Sequence, residues 1–262
     1  MKKTGKTALI TGASSGIGQE LARIHAAAGD EVVIIARREK ELIQLKEELE
    51  SSYGTTVTVI VKDLSRNESP DEIFHTTEKS GIHVDYLINN AGFGGHGYFH
   101  ERDWKNDHAM IMVNMHALTR LSKLYIPGMI DRKYGKILNV SSTAAFLPGP
   151  LQGIYYATKS YVLSLSQAMD EELREHNISV TALCPGPVAT EFAKTASVEE
   201  TSLFKNASSP REIAEAGYNA MMKGKLVKNT EPLFRFAFRF VLPFMSRRAI
   251  LKISRKTMEK SN

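Results

Sequence analysis

Six short runs of the chain are apolar almost throughout: Lys6–Thr11, Glu31–Ala36, Thr55–Val61, Val84–Asn89, Gly135–Ser141 and Ile178–Leu183. Runs of this length rich in Val, Ile and Leu, without the polar alternation of a half-exposed strand, predict a sheet buried on both faces. Between them the apolar positions recur at helical spacing, which predicts helices over Gly16–Ala28, Glu39–Ser52, Pro70–Gly81, Trp104–Ile130, Ile154–His176 and Pro210–Gly224. Strand and helix in strict alternation imply right-handed βαβ units, hence the α/β class: a doubly wound parallel sheet with helices on both faces. No internal repeat or low-complexity linker interrupts the order, and Thr190–Ser209 is the least patterned stretch. Ligands of such sheets bind at the carboxyl ends of the strands, so each polar or glycine-rich motif can be judged by whether it falls there.

The first strand runs into Thr11-Gly12-Ala13-Ser14-Ser15-Gly16-Ile17-Gly18. A triphosphate loop needs a lysine followed by serine or threonine after its last glycine, but Gln19-Glu20-Leu21 follow instead. A strand, a tight glycine turn and a helix N-terminus facing an anion are the parts of a dinucleotide loop, here spaced GxxxGxG at Gly12, Gly16 and Gly18, with Ser14, Ser15 and Ile17 between them. The second strand ends in Arg37-Arg38. An acidic residue at that place suits the free ribose hydroxyls of NAD, whereas a guanidinium suits the 2′-phosphate of NADP; Arg37 is expected to select NADP, with Arg38 sharing or replacing it. After the third strand come Asp63-Leu64, with Asp63 placed to accept from an adenine amino group, and after the fourth a small-residue turn, Asn90-Ala91-Gly92, for close backbone approach. Each of these also reads as an ordinary strand-ending turn.

Two later stretches carry chemistry. Tyr155-Tyr156-Ala157-Thr158-Lys159 lies in a helical pattern that puts Tyr155 and Lys159 on one face. A neighbouring ammonium is expected to lower the phenol pKa and make Tyr155 a usable general acid or base, while Tyr156 is assigned to packing. The fifth strand ends in Asn139-Val140-Ser141-Ser142, whose Ser142 can hydrogen-bond a substrate carbonyl.

Taken together, TGASSGIG, NNAG, Asn114 within MVNMH, Ser142, YYATK and Pro185-Gly186 with Thr190 resemble the short-chain dehydrogenases/reductases, in their compact single-domain branch, over residues 6 to about 228. The resemblance implies a Rossmann fold and a catalytic tetrad of Asn114, Ser142, Tyr155 and Lys159. In it Tyr155 protonates the carbonyl oxygen as hydride arrives, Lys159 also binds the nicotinamide ribose, Ser142 orients the substrate and Asn114 holds a relay water. It further implies that the Val188 backbone and the Thr190 side chain hold the carboxamide, that Ile17 packs in the cofactor loop, and that the protein is a homodimer or homotetramer. The expected activity is NADP(H)-dependent interconversion of a small-molecule carbonyl and alcohol, run as a carbonyl reductase. The rival is a silent dinucleotide-binding or membrane-associated scaffold, against which the intact Asn, Ser, Tyr and Lys argue.

Composition changes the picture further. At 262 residues and 42% hydrophobic, one domain is expected: residues 1–228 catalytic, 229–262 a basic extension of it. Cys184, the single cysteine, excludes an internal disulfide, and Met1-Lys2-Lys3 leads into no signal-peptide pattern, so a cytoplasmic setting is expected. His96, His100 and His108 lack carboxylate or cysteine partners, so no metal is expected. The formal charge of +5 resides in the tail, where Lys223–Asn262 carry +9 against −4 for the rest, and no nucleic-acid-binding motif accompanies it. The stretch from Pro232 to Phe244 sets Arg235 and Arg239 among aromatics, which fits a helix over the substrate cleft, a subunit contact or a membrane-surface helix. Each option makes the neighbourhood apolar, so an apolar aldehyde or ketone is the expected substrate.

Overall fold

The computed structural model describes residues 3–196, 207–232, 234, 236 and 240–259. The chain runs β1 (Thr7–Thr11), α1 (Gly16–Ala28), β2 (Glu31–Ala36), α2 (Glu39–Tyr53), β3 (Val57–Val61), α3 (Ser69–Lys79), β4 (Tyr86–Asn89), α4 (Trp104–Ile111), a π-helical turn (Met112–Ala117), α5 (Leu118–Asp131), β5 (Gly135–Val140), α6 (Gly153–Leu173), β6 (Ile178–Cys184), the short α7 (Phe192–Thr195), α8 (Pro210–Met222), β7 (Val227–Asn229) and α9 (Arg247–Met258). The seven strands form one parallel sheet in the order β3-β2-β1-β4-β5-β6-β7. The order reverses beside β1, so the crevice at the carboxyl ends of β1 and β4 is where such a sheet receives a ligand.

Continuous apolar strands fill two cores at once. In β1, Ala8 and Ile10 face one layer with Leu21 of α1, Leu45 of α2 and Ile213 of α8, while Leu9 faces the other with Ile73 of α3, Leu121 of α5 and Met169 of α6. Leu9 and Ile10 are fully buried, and truncating either to Ala costs about 2–5 kcal/mol. α1 and α2 stop where Gly29 (φ 90°) and Gly54 (φ 63°) enter the left-handed region, and each cap N–H bonds back to the helix. Beneath the site a buried polar chain fixes helices to strands: Asn89 Nδ2 donates to Asn139 Oδ1 (2.9 Å), and Asn139 Nδ2 donates to Ser166 Oγ of α6 (2.9 Å).

Three features depart from the sequence expectation. The helix expected over Trp104–Ile130 is broken by the π-helical turn at Met112–Ala117, which inserts one residue and turns Asn114 into the protein. The strand Val227–Asn229 pairs Leu183 with Lys228 at the sheet edge. Helix α9 forms at the end of the chain, with Ile250, Ser254 and Met258 buried. The expected interfacial segment at Arg235 and Arg239 lies outside the described residues.

Candidate active site

A cavity of about 580 Å³ runs along the carboxyl ends of the strands, from the glycine turn to α9. Its walls include Gly12, Ser14, Ser15, Gly16 and Ile17 from the first turn, Arg37 and Arg38 after β2, Asp63 and Leu64 after β3, and Asn90, Ala91 and Gly92 after β4. On the far side stand Ser142, Tyr155 and Lys159, with Pro185, Gly186, Val188 and Thr190 from the loop after β6. One void therefore joins every sequence-expected site residue except Gly18 and Asn114, which lie behind its wall.

Those two support it. A Cβ on Gly18 would lie 2.4 Å from Asn90 Nδ2 and 2.4 Å from the Gly12 carbonyl, so its glycine lets α1 pack against the turn. Gly12 (φ 69°) has the left-handed backbone, and its bare Cα lets Asn90 and Ala91 close in from β4. Asn90 Nδ2 donates to the Thr11 carbonyl (2.9 Å), and the Asn90 and Ala91 amides both donate to Thr11 Oγ1 (3.0 Å each). The glycines thus admit protein neighbours as well as shaping a ligand turn. The Asn114 side chain spends both its donors and its oxygen on protein: Nδ2 donates to the Phe93 carbonyl and to Thr158 Oγ1 (3.0 Å each), and Oδ1 accepts from the Phe93 amide (3.1 Å). The Asn114 side chain thus braces the loop after β4 against α6.

At the other end of the void the two arginines differ. Arg38 is drawn inward, donating to Ser14 Oγ (3.2 Å) and pairing with Glu191 (2.9 Å). Arg37 is exposed and, among the described residues, forms no hydrogen bond or ion pair, so its guanidinium is the cation left open at the end of β2. Asp63 Oδ1 caps its own turn by accepting from the Ser65 amide (3.0 Å), leaving the second carboxylate oxygen to the cavity.

The chemistry-bearing residues converge on buried ground. Ser141 Oγ donates to the Lys159 carbonyl (2.8 Å) and so is part of the packing, whereas Ser142 Oγ accepts from the Ala144 amide (3.1 Å) and faces the Tyr155 hydroxyl. Burial pushes the Tyr155 phenol up to about 12, and the Ser142 hydroxyl draws it partway back. Burial also brings Lys159 down to about 8. Burial therefore moves the phenol opposite to the expected lowering; the Lys159 Nζ donates to the Val140 carbonyl (2.9 Å) and sits 5.8 Å from the Tyr155 ring centroid. Lys159 has three N–H bonds and spends one; two remain for a ligand. Cys184 lies beneath, its thiol pushed by burial up to about 12, as a core residue rather than a nucleophile.

Sequence reasoning missed part of the cavity. Tyr156, assigned to packing, does pack against Gly149, but it also lines the void, as do Gln152 and, from the tail, Phe234, Leu242, Ile250, Ser254 and Met258. The helical spacing of Ile250, Ser254 and Met258 was the available signal for the inward face of α9.

Comparison with known proteins agrees with this geometry. The sequence profile described as short chain dehydrogenase matches residues 6–201. A very-long-chain 3-oxoacyl-CoA reductase of Mus musculus is 34% identical over 196 residues, covering 73% of this chain; the chain spans 62% of that relative's length. Among solved structures, a short-chain dehydrogenase from Sphingobium yanoikuyae in complex with NADPH is 29% identical with a TM-score of 0.82, covering 92% of this chain and 96% of its own. The bulky-bulky ketone specific alcohol dehydrogenase from Comamonas testosteroni is 28% identical with a TM-score of 0.77, covering 92% and 95%. Sheet order, the position of the void and the profile match lead to one conclusion: the chain belongs to the short-chain dehydrogenase family.

Proposed function

We propose that the protein is an NADPH-dependent reductase of a carbonyl carried on an apolar body, with Tyr155 as general acid. One observation carries the reading: a buried phenol facing a serine hydroxyl, next to a buried lysine with unused N–H bonds, stands at one end of a void whose other end holds the open Arg37. The residues fit a nicotinamide dinucleotide. The N-terminus of α1 at Ser15 and Gly16 offers backbone N–H groups to a pyrophosphate, Arg37 offers a two-point fork to a 2′-phosphate, and Lys159 offers donors to ribose hydroxyls. When bound, the dinucleotide supplies hydride.

The rest is done by the chain. A phenol pushed up to about 12 keeps its proton at neutral pH, which suits donation to a carbonyl oxygen. Ser142 Oγ, fixed by the Ala144 amide, shares that oxygen and sets its position. The apolar far wall, Phe234, Leu242, Ile250 and Met258, excludes water and receives an apolar chain. The name of the mouse relative and the ketone specificity of the Comamonas enzyme both support a bulky or long substrate. The test is a panel of long-chain, aromatic and small polar carbonyls run with NADPH and with NADH. Turnover of the apolar members with NADPH is expected. Tight NADPH binding with no oxidation across the panel would overturn the reading in favour of a silent dinucleotide-binding module.

A further inference from the structure

The cavity opens on a surface that is at once apolar and cationic. Ile253 of α9 is half exposed and yet lines the void, so it marks the rim. Beside that rim two kinds of side chain stand out into solvent. Phe244, 87% exposed, shortly precedes α9, and Phe99, 77% exposed, lies beside its far end. The loop that carries Phe99 is tied to the helix there: Arg255 Nη2 donates to the Tyr98 hydroxyl (3.3 Å), and His96 Nε2 donates to the Met258 carbonyl (2.8 Å). Trp104, at the end of the same loop, is 66% exposed. Between the two phenylalanines, the side of α9 turned away from the cavity presents Arg248, Lys252, Arg255 and Lys256, all exposed, at helical spacing opposite the buried Ile250, Ser254 and Met258. Large apolar side chains grouped in this way on a surface mark a site of interaction.

From this pairing of cations with protruding aromatics we infer a docking surface for a membrane leaflet that carries anionic headgroups. Residues 232–258 contain seven Arg and Lys and no Asp or Glu, so the segment carrying the surface is complementary in charge to such a leaflet. Cations settle among the phosphates, and aromatic rings settle where headgroup meets acyl chain. Each Lys or Arg near the leaflet adds to the attraction. Two copies of the chain meeting here would set like charge against like charge, and a soluble polyanion would meet the cations while leaving Phe99 and Phe244 in water. The leaflet satisfies both kinds of side chain together. Docked in this way, the mouth of the cavity rests in the layer where apolar carbonyl compounds partition. That consequence rests on the reductase reading; the docking does not.

The test separates docking from turnover. The full chain is sedimented with vesicles of phosphatidylcholine alone and of phosphatidylcholine with about 30% phosphatidylglycerol, at about 0.05 M and about 0.5 M salt. Wild type should partition onto the anionic vesicles about tenfold more strongly at low salt, and the preference should shrink at high salt. Lys252→Glu with Lys256→Glu should lower that partition about tenfold or more, and Phe99→Ser with Phe244→Ser about fivefold. Neither pair should shift Tm, because all four side chains are exposed. Three results overturn the docking: no partition at low salt, partition that survives both pairs, or loss with the lysine pair alone, which marks a polyanion site. A light-scattering mass that falls from dimer to monomer in the phenylalanine pair, with no vesicle binding by wild type, marks a contact between copies and overturns it too. Reduction of 2-dodecanone by NADPH is read separately: vesicle binding without NADPH oxidation leaves the docking in place and removes the reductase reading.

Discussion

Asn114 and Phe93 exchange a pair of hydrogen bonds, Asn114 Nδ2 to the Phe93 carbonyl at 3.0 Å and the Phe93 amide to Asn114 Oδ1 at 3.1 Å. A side-chain amide here imitates a strand neighbour, holding a loop that has left the sheet. Replacing Asn114 with Ala removes both bonds and the one to Thr158, and a cost of about 1–3 kcal/mol is expected. Thermal denaturation should show a lower Tm, and carbonyl turnover should fall with it because the loop abuts Lys159.

The same loop sets a spatial test. A Cβ on Gly92 would stand 3.0 Å from Asn114 Oδ1 and 3.2 Å from Lys159 Nζ, whereas one on Gly153, at the start of α6, meets nothing within 4 Å. Gly92→Ala should therefore lower kcat at least tenfold. Gly153→Ala should leave kcat alone and raise stability by roughly 0.5–1 kcal/mol through helix propensity and a stiffer unfolded chain.

Arg37 and Arg38 should separate in a binding assay. With its guanidinium open, Arg37→Ala is expected to weaken NADPH by about 10- to 100-fold, the weight of a charge-assisted bond, while changing NADH little. Arg38→Ala, which removes the guanidinium's bonds to Ser14 and Glu191, should weaken both dinucleotides alike by loosening the glycine turn. Equal losses of NADPH and NADH in Arg37→Ala would remove the selectivity assignment.

The buried pair gives a signed pH dependence. Lys159 titrates near 8 when folded and near 10.5 when free, so between those values the unfolded chain holds the extra proton and stability rises with pH. Tyr155 titrates near 12 when folded and near 10 when free, so above pH 10 the unfolded chain loses its proton first and stability falls. The Tm of wild type minus that of Lys159→Met should climb from pH 8 to pH 10; a flat difference would mean that the lysine is hydrated in solution.

Much of this was legible in the sequence for a physical reason. A strand buried on both faces cannot tolerate polar positions, so β1, β2, β5 and β6 announce themselves, and the glycine turn and Ser142 follow from where those strands end, while Tyr155 and Lys159 follow from their four-residue spacing on a helix together with the family resemblance. The π-helical turn was hidden because Trp104–Ile130 keeps helical periodicity across the inserted residue. Only the partners of Asn114, Phe93 and Thr158, reveal why the register shifts. The sign of the Tyr155 shift was misjudged because four-residue spacing reports proximity but not burial, and here burial is the larger effect. β7 is three residues long and edge-placed, below the length at which a pattern can be read. In α9 five arginines and lysines mask the inward stripe, and Ser254 breaks it at the middle.

The far wall of the cavity is contributed by chain beyond residue 201, outside the stretch shared with the short-chain dehydrogenase profile, while Asn114, Ser142, Tyr155 and Lys159 all lie within it. On the proposed reading, proton delivery and molecular discrimination are encoded in consecutive segments. Mutation or replacement of the terminal segment can retune which compounds enter without disturbing the proton donor, so divergence among proteins of this design should concentrate at their carboxyl ends.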